Sequence, residues 1–508
     1  MPETHLYGVV STILTIPTGL VGYGRVTAVQ FGTARNWRRL MAGIAGITGD
    51  NRQALEAMMA RLTHRGDGGW KIVEHDGAIL GAVWPMAQAT RTPLTLREAA
   101  VWDGAQPPLP DPHAVGDQRA PFALAAAHPS STLFIARDAL GICPLYYAHG
   151  SGGEFTFASE VKAVLEVSAT VREFPPGHWF TPETGLQGFV DARFPEGLSH
   201  DNDEIARGLR MRLESAICQQ IDRDEMGSWL SGGLDSSAIA ALARPHVRTL
   251  HTFAAGLPGA PDLHFAQQMA EHLNTTHHPV IVTLDQSLNV LPEVIYHLES
   301  FDALLVRSSI TNYLVGEVAA DYTQVSFSGE GADELFAGYA YLEQLPSDAL
   351  AGELTEITRR LHNTALQRVD RSAAAHGLVV HVPFLDPQVV EYAERIPVQL
   401  KLQQGDEGIE KWILRRALVG VLPDSVLWRR KAKFWQGTGL GEQISEYAEG
   451  RISDAEFRRE RRLPNGWTLN SKEELLYYRI FEGHFGRLES LDWMGRSRTR
   501  RSTRTSAS

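Results

Sequence analysis

From residue 41 to about residue 180, short apolar runs alternate with glycine and proline breaks: GIAGI, WKIVEH, AILGAVW, AAVWDG, FALAAAH, STLFIARDALG, CPLYYAH and EFTFASE. Runs of this length bounded by turn residues predict a sheet-rich domain with few helices. After about residue 203 the period changes. MGSWLSGGLDSSAIAALA reads as strand, glycine turn and helix, and RTLHTFAAGL followed by APDLHFAQQMAEHLN gives a second strand and helix, the pattern of a parallel sheet with helical crossovers. Beyond about residue 340 the spacing is mostly helical, punctuated by Pro383, Pro387, Pro397 and Pro423. No repeat with a period of about 20 to 50 residues is present.

The ends read differently. Residues 6–24 are apolar, but Pro17 and four glycines interrupt a run already short of about 18 unbroken apolar residues, which argues against a spanning helix. Met41 opens the compact apolar run MAGIAGITGD, so residues 1–40 are expected to be a leader outside the fold, with an upstream translation start preferred over a signal peptide. Residues 488–508 end in GRSRTRRSTRTSAS and are expected to be a disordered, Arg-rich tail. Composition adds exclusions. With 48 Lys and Arg against 60 Asp and Glu, the net charge of −12 speaks against nucleic acid as the main partner. Two cysteines among 508 residues are too few for a disulfide framework or a Cys-rich metal site, and both are expected to be ordinary buried thiols of a cytoplasmic protein.

The sharpest motif is Ser231-Gly232-Gly233-Leu234-Asp235-Ser236-Ser237. A short strand precedes it and a helix follows, so backbone N–H groups and the positive helix end converge where a phosphate would sit. The glycines allow close backbone approach, the serines add hydroxyls, and Asp235 is a hard oxygen ligand suited to the Mg²⁺ that travels with ATP. GxxxxGK[ST] is absent, so this is not a Walker loop.

This heptapeptide resembles the pyrophosphate loop of N-type ATP pyrophosphatases, which cleave ATP between the α and β phosphates. HTFAAGLPGAPDL, SFSGEGADELFAGY, HVPFLDPQ, EKWILRRAL, LPDSVLWRRKAKF and NSKEELLYYRIFEGHF follow in order, and from about 205 to 486 the chain resembles the synthetase domain of the asparagine synthetase B family. The resemblance implies an α/β protein. A degenerate amidotransferase-like αββα sandwich of N-terminal-nucleophile type at 41–190 precedes a Rossmann-like, parallel-sheet ATP-pyrophosphatase domain with helical additions at 203–487. It also implies the chemistry. A carboxylate is a poor electrophile, and adenylation by ATP gives it AMP as a leaving group.

Carried over residue by residue, the resemblance places the backbone of Leu230 and Ala255 beside adenine, and Ser328 and Gly329 at the far wall of the nucleotide pocket. Asp235 and Asp333 become Mg²⁺ ligands, Lys431 the pyrophosphate contact, and Glu330 the base that takes the amine's proton. Arg307 is the expected contact for the acid's carboxylate. Glu334 and Asp386 resemble carboxylates that hold lysines, and His277-His278 lacks further ligands at metal spacing. One departure stands out: Leu304-Leu305 replace a Thr-Thr pair of the family, which weakens recognition of a substrate as small and polar as aspartate.

The amino-terminal frame is recognisable in RLTHRGDGG, ARDALGICPLYYA, FTFASEVKAVL and EFPPGHWF, but the nucleophile position is Ala42. The family's Asn-Gly-Glu loop stands here as Asp103-Gly104-Ala105, where an acid opposes an oxyanion. Its glutamine-binding arginine falls near Trp84, and a stretch between about 107 and 120 is missing. No glutamine hydrolysis is expected, so ammonia or another amine arrives from elsewhere, with a separate ammonia-supplying protein as one source. The partners implied are ATP, aspartate or a related carboxylic acid, and an amine, with neither nucleic acid nor membrane; the homodimer frequent in the family is left undecided by these residues. Two rivals are kept. β-Lactam synthetases and lasso-peptide cyclases share the frame without the cysteine, but Glu330 stands where β-lactam synthetases have Tyr. An inactive scaffold would show decay in both halves, whereas only the first half has lost its chemistry.

Overall fold

The chain packs its elements in two layered halves. The computed structural model describes residues 42–75, 77–85, 94–95, 99–104, 110–118, 120–128, 131–150, 152–189, 197–198, 201–403, 408–429 and 440–497, and all of them lie in one compact unit. The leader at 1–40 and Lys431 lie outside the described residues.

The first half is two facing six-stranded sheets. One has the order β10-β8-β9-β1-β3-β2, with β1 Gly43–Thr48, β2 Trp70–His75, β3 Ala78–Val83, β8 Tyr146–His149, β9 Phe155–Ala158 and β10 Arg172–Glu173. The other has the order β12-β11-β7-β6-β5-β4, with β4 Leu94–Thr95, β5 Ala100–Gly104, β6 Phe122–His128, β7 Ser131–Arg137, β11 His178–Thr181 and β12 Gly185–Gly188. Ile44, Leu80, Val101, Ile135, Phe157 and Phe180 share the layer between them. Because alternate residues of a strand face opposite ways, Ala45 and Ile47 of β1 are left to pack on Leu55, Met58 and Met59 of α1 (Arg52–Ala60). The outer face of the second sheet is covered, among the described residues, by little more than the short helix Pro112–Gly116, whose Val115 packs on Trp102, Phe122 and Phe134.

The second half opens with α2 (Asn202–Gln220). Asp201 accepts hydrogen bonds from the N–H groups of Asp203 and Glu204 at 2.7 and 2.9 Å, capping the helix, and Ile205, Leu209, Leu213 and Ile217 recur at helical spacing on its buried face. A five-stranded parallel sheet follows, in the order β15-β14-β13-β16-β17: β13 Glu225–Trp229, β14 Thr249–Gly256, β15 Thr276–Ile281, β16 Val325–Phe327 and β17 Val379–His381. Its strands are joined through α3 (Leu234–Ala243), α4 (Pro261–Leu273), α5 (Leu284–Leu298), α6 (Ala303–Ala320) and α7 (Ala365–Ala374), with α8 (Pro387–Glu394), α9 (Trp412–Ala417) and α10 (Lys472–Phe485) after the sheet. In sequence terms the order is 3-2-1-4-5, so the connections run opposite ways on either side of the β13–β16 pair, opening a crevice at the carboxyl ends of those strands.

Two expectations are corrected. The packed chain continues past residue 487: Leu491, Trp493 and Met494 are buried against α5 and α10 residues, and Ser497 donates to Asp302 through N–H at 2.9 Å and Oγ at 2.7 Å. The one tryptophan and one methionine in this polar stretch supply the apolar area that anchors it. Of the two thiols, Cys143 is buried as expected, whereas Cys218 is exposed on the solvent face of α2. No helix among the described residues is long and apolar enough to cross a membrane.

Candidate functional site

The crevice is lined by the two loops that leave β13 and β16. Leu230 donates its N–H to Phe253 O at 2.8 Å, ending the strand pairing, and the chain turns at Gly232 with φ +69°. A Cβ there would lie 2.5 Å from the backbone carbon of Phe265, so only glycine lets the loop rest on α4. Ser236 Oγ receives the Ser231 N–H at 3.1 Å, and the two hydroxyls are 3.0 Å apart. These serines hold the turn that starts α3, leaving the free N–H groups of its first turn at the crevice. Ser237 is fully buried and faces the core.

Ser328, after β16, donates its N–H to His381 O at 2.8 Å. Gly329 follows, and a Cβ on it would sit 2.9 Å from both the Asp235 carbonyl carbon and the Ser236 nitrogen. The two loops therefore touch backbone to backbone. Ala255 lies at the carboxyl end of β14, half-buried, one strand over from Leu230.

Charge concentrates where the loops meet. Lys411, the residue before α9, holds a left-handed conformation with φ +57° and puts Nζ 2.5 Å from Asp235 Oδ2 and 2.5 Å from Asp333 Oδ1. Burial pushes that ammonium down, but the charges of Asp235 and Asp333 and its hydrogen bonds to them raise it above the ordinary lysine value. Gly338 makes the room: a Cβ there would overlap the Lys411 side chain and Asp333 Oδ1. Glu330 pairs with Arg368 Nη2 of α7, and Arg368 Nη1 donates to Ser308 Oγ at 3.1 Å. Burial and the charge of Asp333 push Glu334 up to about 7, and it accepts a hydrogen bond from Tyr339 Oη.

The structure thus brings Ser231, Gly232, Gly233, Asp235, Ser236, Ser328, Gly329, Glu330 and Asp333 together at one end of the parallel sheet. Arg307 is separated from them in its contacts. Its Nε donates to Glu473 Oε1 of α10 at 2.6 Å and its Nη2 to Oε2, and Tyr477 Oη adds a bond to Oε1 at 2.8 Å. Glu334 holds a tyrosine rather than a lysine, and Asp386 caps α8 through the Gln388 N–H at 2.9 Å. His278 Nε2 meets His251 Nδ1 at 3.0 Å and His277 Nδ1 meets Thr252 Oγ1 at 3.0 Å, and no metal-holding cluster exists among the described residues.

Three participants were not singled out from sequence: Lys411, Arg368 and Glu473. Lys411 lies in the EKWILRR segment, whose lysine was the available signal; nothing in the sequence marks Arg368 as the partner of Glu330 or Glu473 as that of Arg307.

In the first half, the Ala42 N–H donates to Asp103 Oδ1 at 3.1 Å, with both residues fully buried. The acid expected at the oxyanion loop therefore stands within hydrogen-bond reach of the residue at the nucleophile position, and Trp84 is packed into the layer between the sheets.

The chain matches the asparagine synthase family over residues 208–356 and 344–506, and the glutamine amidotransferase domain family over residues 112–166. Asparagine synthetase B [glutamine-hydrolyzing] of Escherichia coli is 37% identical over 376 residues, covering 69% of this chain and 67% of that protein. A probable asparagine synthetase [glutamine-hydrolyzing] of Dictyostelium discoideum is 32% identical over 402 residues, covering 72% of each, and one of Schizosaccharomyces pombe is 36% identical over 388 residues, covering 69% and 70%. Read together with a nucleotide-loop crevice on a parallel sheet behind an amidotransferase-like sandwich, these matches settle the assignment: the chain belongs to the asparagine synthase family, ATP-dependent ligases that form a carbon–nitrogen bond and release AMP and pyrophosphate.

Proposed function

We propose that this protein adenylates aspartate or a related acid and transfers the acyl group to ammonia, without hydrolysing glutamine. The observation that carries this reading is the contrast between its halves: the nucleotide loop, Glu330 and two convergent aspartates stand at one crevice, while Ala42 is bonded to an acid.

The N–H groups that open α3, with the Ser231 and Ser236 hydroxyls, hold the phosphates, and Leu230 and Ala255 border the adenine, with Ser328 and Gly329 opposite. The donor set suits Mg²⁺, since two carboxylates already converge on one cation; Asp235 and Asp333 would hold the ion, which when bound supplies charge neutralisation at the leaving pyrophosphate. Lys431 adds a positive charge to the same phosphates. The acid's carboxylate oxygen attacks the α-phosphorus and pyrophosphate leaves. The amine then attacks the acyl carbon, AMP departs with the bonding pair, and the Glu330 carboxylate takes the proton from nitrogen.

Asp103 argues against an amino-terminal glutaminase, because negative charge beside Ala42 would oppose the oxyanion of amide hydrolysis. The amine is therefore ammonia or a small amine from outside the chain, a separate protein being one source. A cytoplasmic location follows from the cysteine-poor composition, and a homodimer is carried over from the family.

A second reading has its own observation. Arg307 is bound bidentately by Glu473, and Leu304-Leu305 add no hydroxyl donors beside it, so the site offers aspartate less polar recognition than the family pattern. That favours a less polar acid, as in the specialised amide-forming ligases. ATP–pyrophosphate exchange with Mg²⁺ and a panel of acids, followed by AMP release with ammonium chloride or glutamine, separates these. Aspartate-dependent turnover with ammonia alone supports the first reading; exchange with another acid supports the second; turnover with glutamine alone overturns the account of Ala42.

A further inference from the structure

The nucleophile has gone from the sandwich, yet an arginine in its old pocket reaches across to the other half of the protein. Arg65 is fully buried. Its Nε donates to Ala42 O at 2.9 Å and its Nη1 to Glu160 Oε1 at 2.7 Å. Two of the three remaining hydrogens form a fork on Asp370, Nη1 to Oδ2 and Nη2 to Oδ1, both at 3.0 Å, across 305 residues of sequence. Paired, parallel N–H···O bonds of this kind fix orientation as well as distance.

Asp370 lies on α7, and so does Arg368. At about 100° per residue the two side chains leave opposite faces of that helix. One face is held by the sandwich; from the other, Arg368 reaches Glu330 and Ser308. Arg371 strengthens the first attachment, donating to Ser159 O at 3.1 Å and to Glu299 Oε2 at 3.2 Å, while Glu299 accepts the N–H groups of Val161 and Lys162 at 3.1 and 2.7 Å. The ten-residue helix is therefore pinned between the remnant domain and the acyl-transfer carboxylate.

We propose that Arg65 is a positioning residue for amide formation: through Asp370 it sets α7, α7 sets Arg368, and Arg368 fixes the Glu330 carboxylate where it receives the amine's proton. The dead domain keeps a task in the live reaction. This rests on the reading of Glu330 as the amine's base. Adenylation, which needs the nucleotide loops but not the Glu330 proton transfer, depends less on Arg65.

The test compares Arg65→Met, Arg65→Lys, Asp370→Asn, the Arg65→Met/Asp370→Asn double variant and Glu330→Gln in the full chain. Backbone hydrogen exchange is followed without substrate, and the two half-reactions are followed with Mg²⁺, ATP, aspartate and ammonium chloride. Arg65→Met and Asp370→Asn are expected to lose protection at residues 365–374 and at 328–335 while β14 keeps its own. Amide formation falls about tenfold, as a small misplacement of a reacting group costs, while ATP–pyrophosphate exchange, which shares the 328–335 loop but not the Glu330 proton transfer, falls by less. The double variant falls no further than either single one, and Arg65→Lys, a point charge without the fork, lies between. Loss of protection confined to α7, or equal loss of both half-reactions, makes Arg65 merely structural and overturns the proposal. If Glu330→Gln keeps full amide formation, the reading of Glu330 fails and takes the proposal with it. Should Glu330→Gln alone abolish amide formation, with Arg65→Met unchanged, only the positioning role falls. If aspartate supports no turnover, the exchange pattern at 328–335 still decides.

Discussion

Lys411→Met isolates the charge balance at the crevice. Nζ is 2.5 Å from one oxygen of Asp235 and 2.5 Å from one of Asp333, so those oxygens are at most about 5 Å apart. Replacing the ammonium by a methyl leaves two carboxylates facing each other. At an effective dielectric of about 20, two unit charges about 5 Å apart repel by about 3 kcal/mol, in the range found when one member of a buried ion pair is removed. With an unfolding entropy of about 2 cal/mol/K per residue, a chain of this size unfolds about 3 °C lower. The assay is thermal unfolding without nucleotide, with EDTA and then with millimolar Mg²⁺. The variant should melt lower in EDTA and recover on adding Mg²⁺, which replaces the lost positive charge, whereas the wild type should respond little because Lys411 already balances the pair. Equal melting of both proteins in EDTA, or equal gains from Mg²⁺, would refute the reasoning, since the aspartates would then not depend on the lysine.

Other outcomes follow from features away from that pair. Burial pushes Lys401 down to about 8, Glu394 only partly offsetting it, against an ordinary value of 10.5. Between those values the unfolded chain binds the proton and the folded one does not, so stability rises with pH from about 8 to 10.5; Lys401→Met should raise the unfolding free energy at pH 7 by at most about 3 kcal/mol, read as a higher melting temperature, with the advantage gone above pH 10.5. Gly232→Ala places a Cβ 2.5 Å from the Phe265 backbone and should cut ATP–pyrophosphate exchange about 100-fold with little change in overall fold by circular dichroism. Ala42→Cys should release no glutamate from glutamine, because Asp103 remains beside the restored sulfur's backbone; glutamate formed at a rate proportional to enzyme would show the pocket to be intact.

What could be read from sequence was what is local. SGGLDSS carries its strand, its turn and its helix within a few residues, so its place at a strand's carboxyl end followed from the pattern alone. The opening strands did too, each apolar run being closed by its own glycine or proline. Contacts distant in sequence were hidden. Lys411 meets Asp235 across 176 residues and Arg307 meets Glu473 across 166, and neither spacing leaves a periodic trace. Arg307 shows the consequence: its side chain suits a carboxylate, and a carboxylate took it, but one belonging to the protein. Trp493 failed for another reason, since a single large ring in a polar stretch contributes little to any windowed pattern yet enough buried area to anchor the chain.

The layer in which Ala45, Ile47, Leu55 and Met58 pack with Leu291, Ile295, Phe301, Ile310 and Phe481 belongs to both halves at once. That shared layer separates two kinds of loss in the history of such a gene. A nucleophile can be replaced at almost no structural cost, because alanine fits wherever cysteine fitted. The domain around it cannot be deleted on the same terms, for its removal would expose a wide oily surface on the ligase. The ligase half therefore depends on the sandwich to cover that face, whether or not the sandwich carries a reaction of its own.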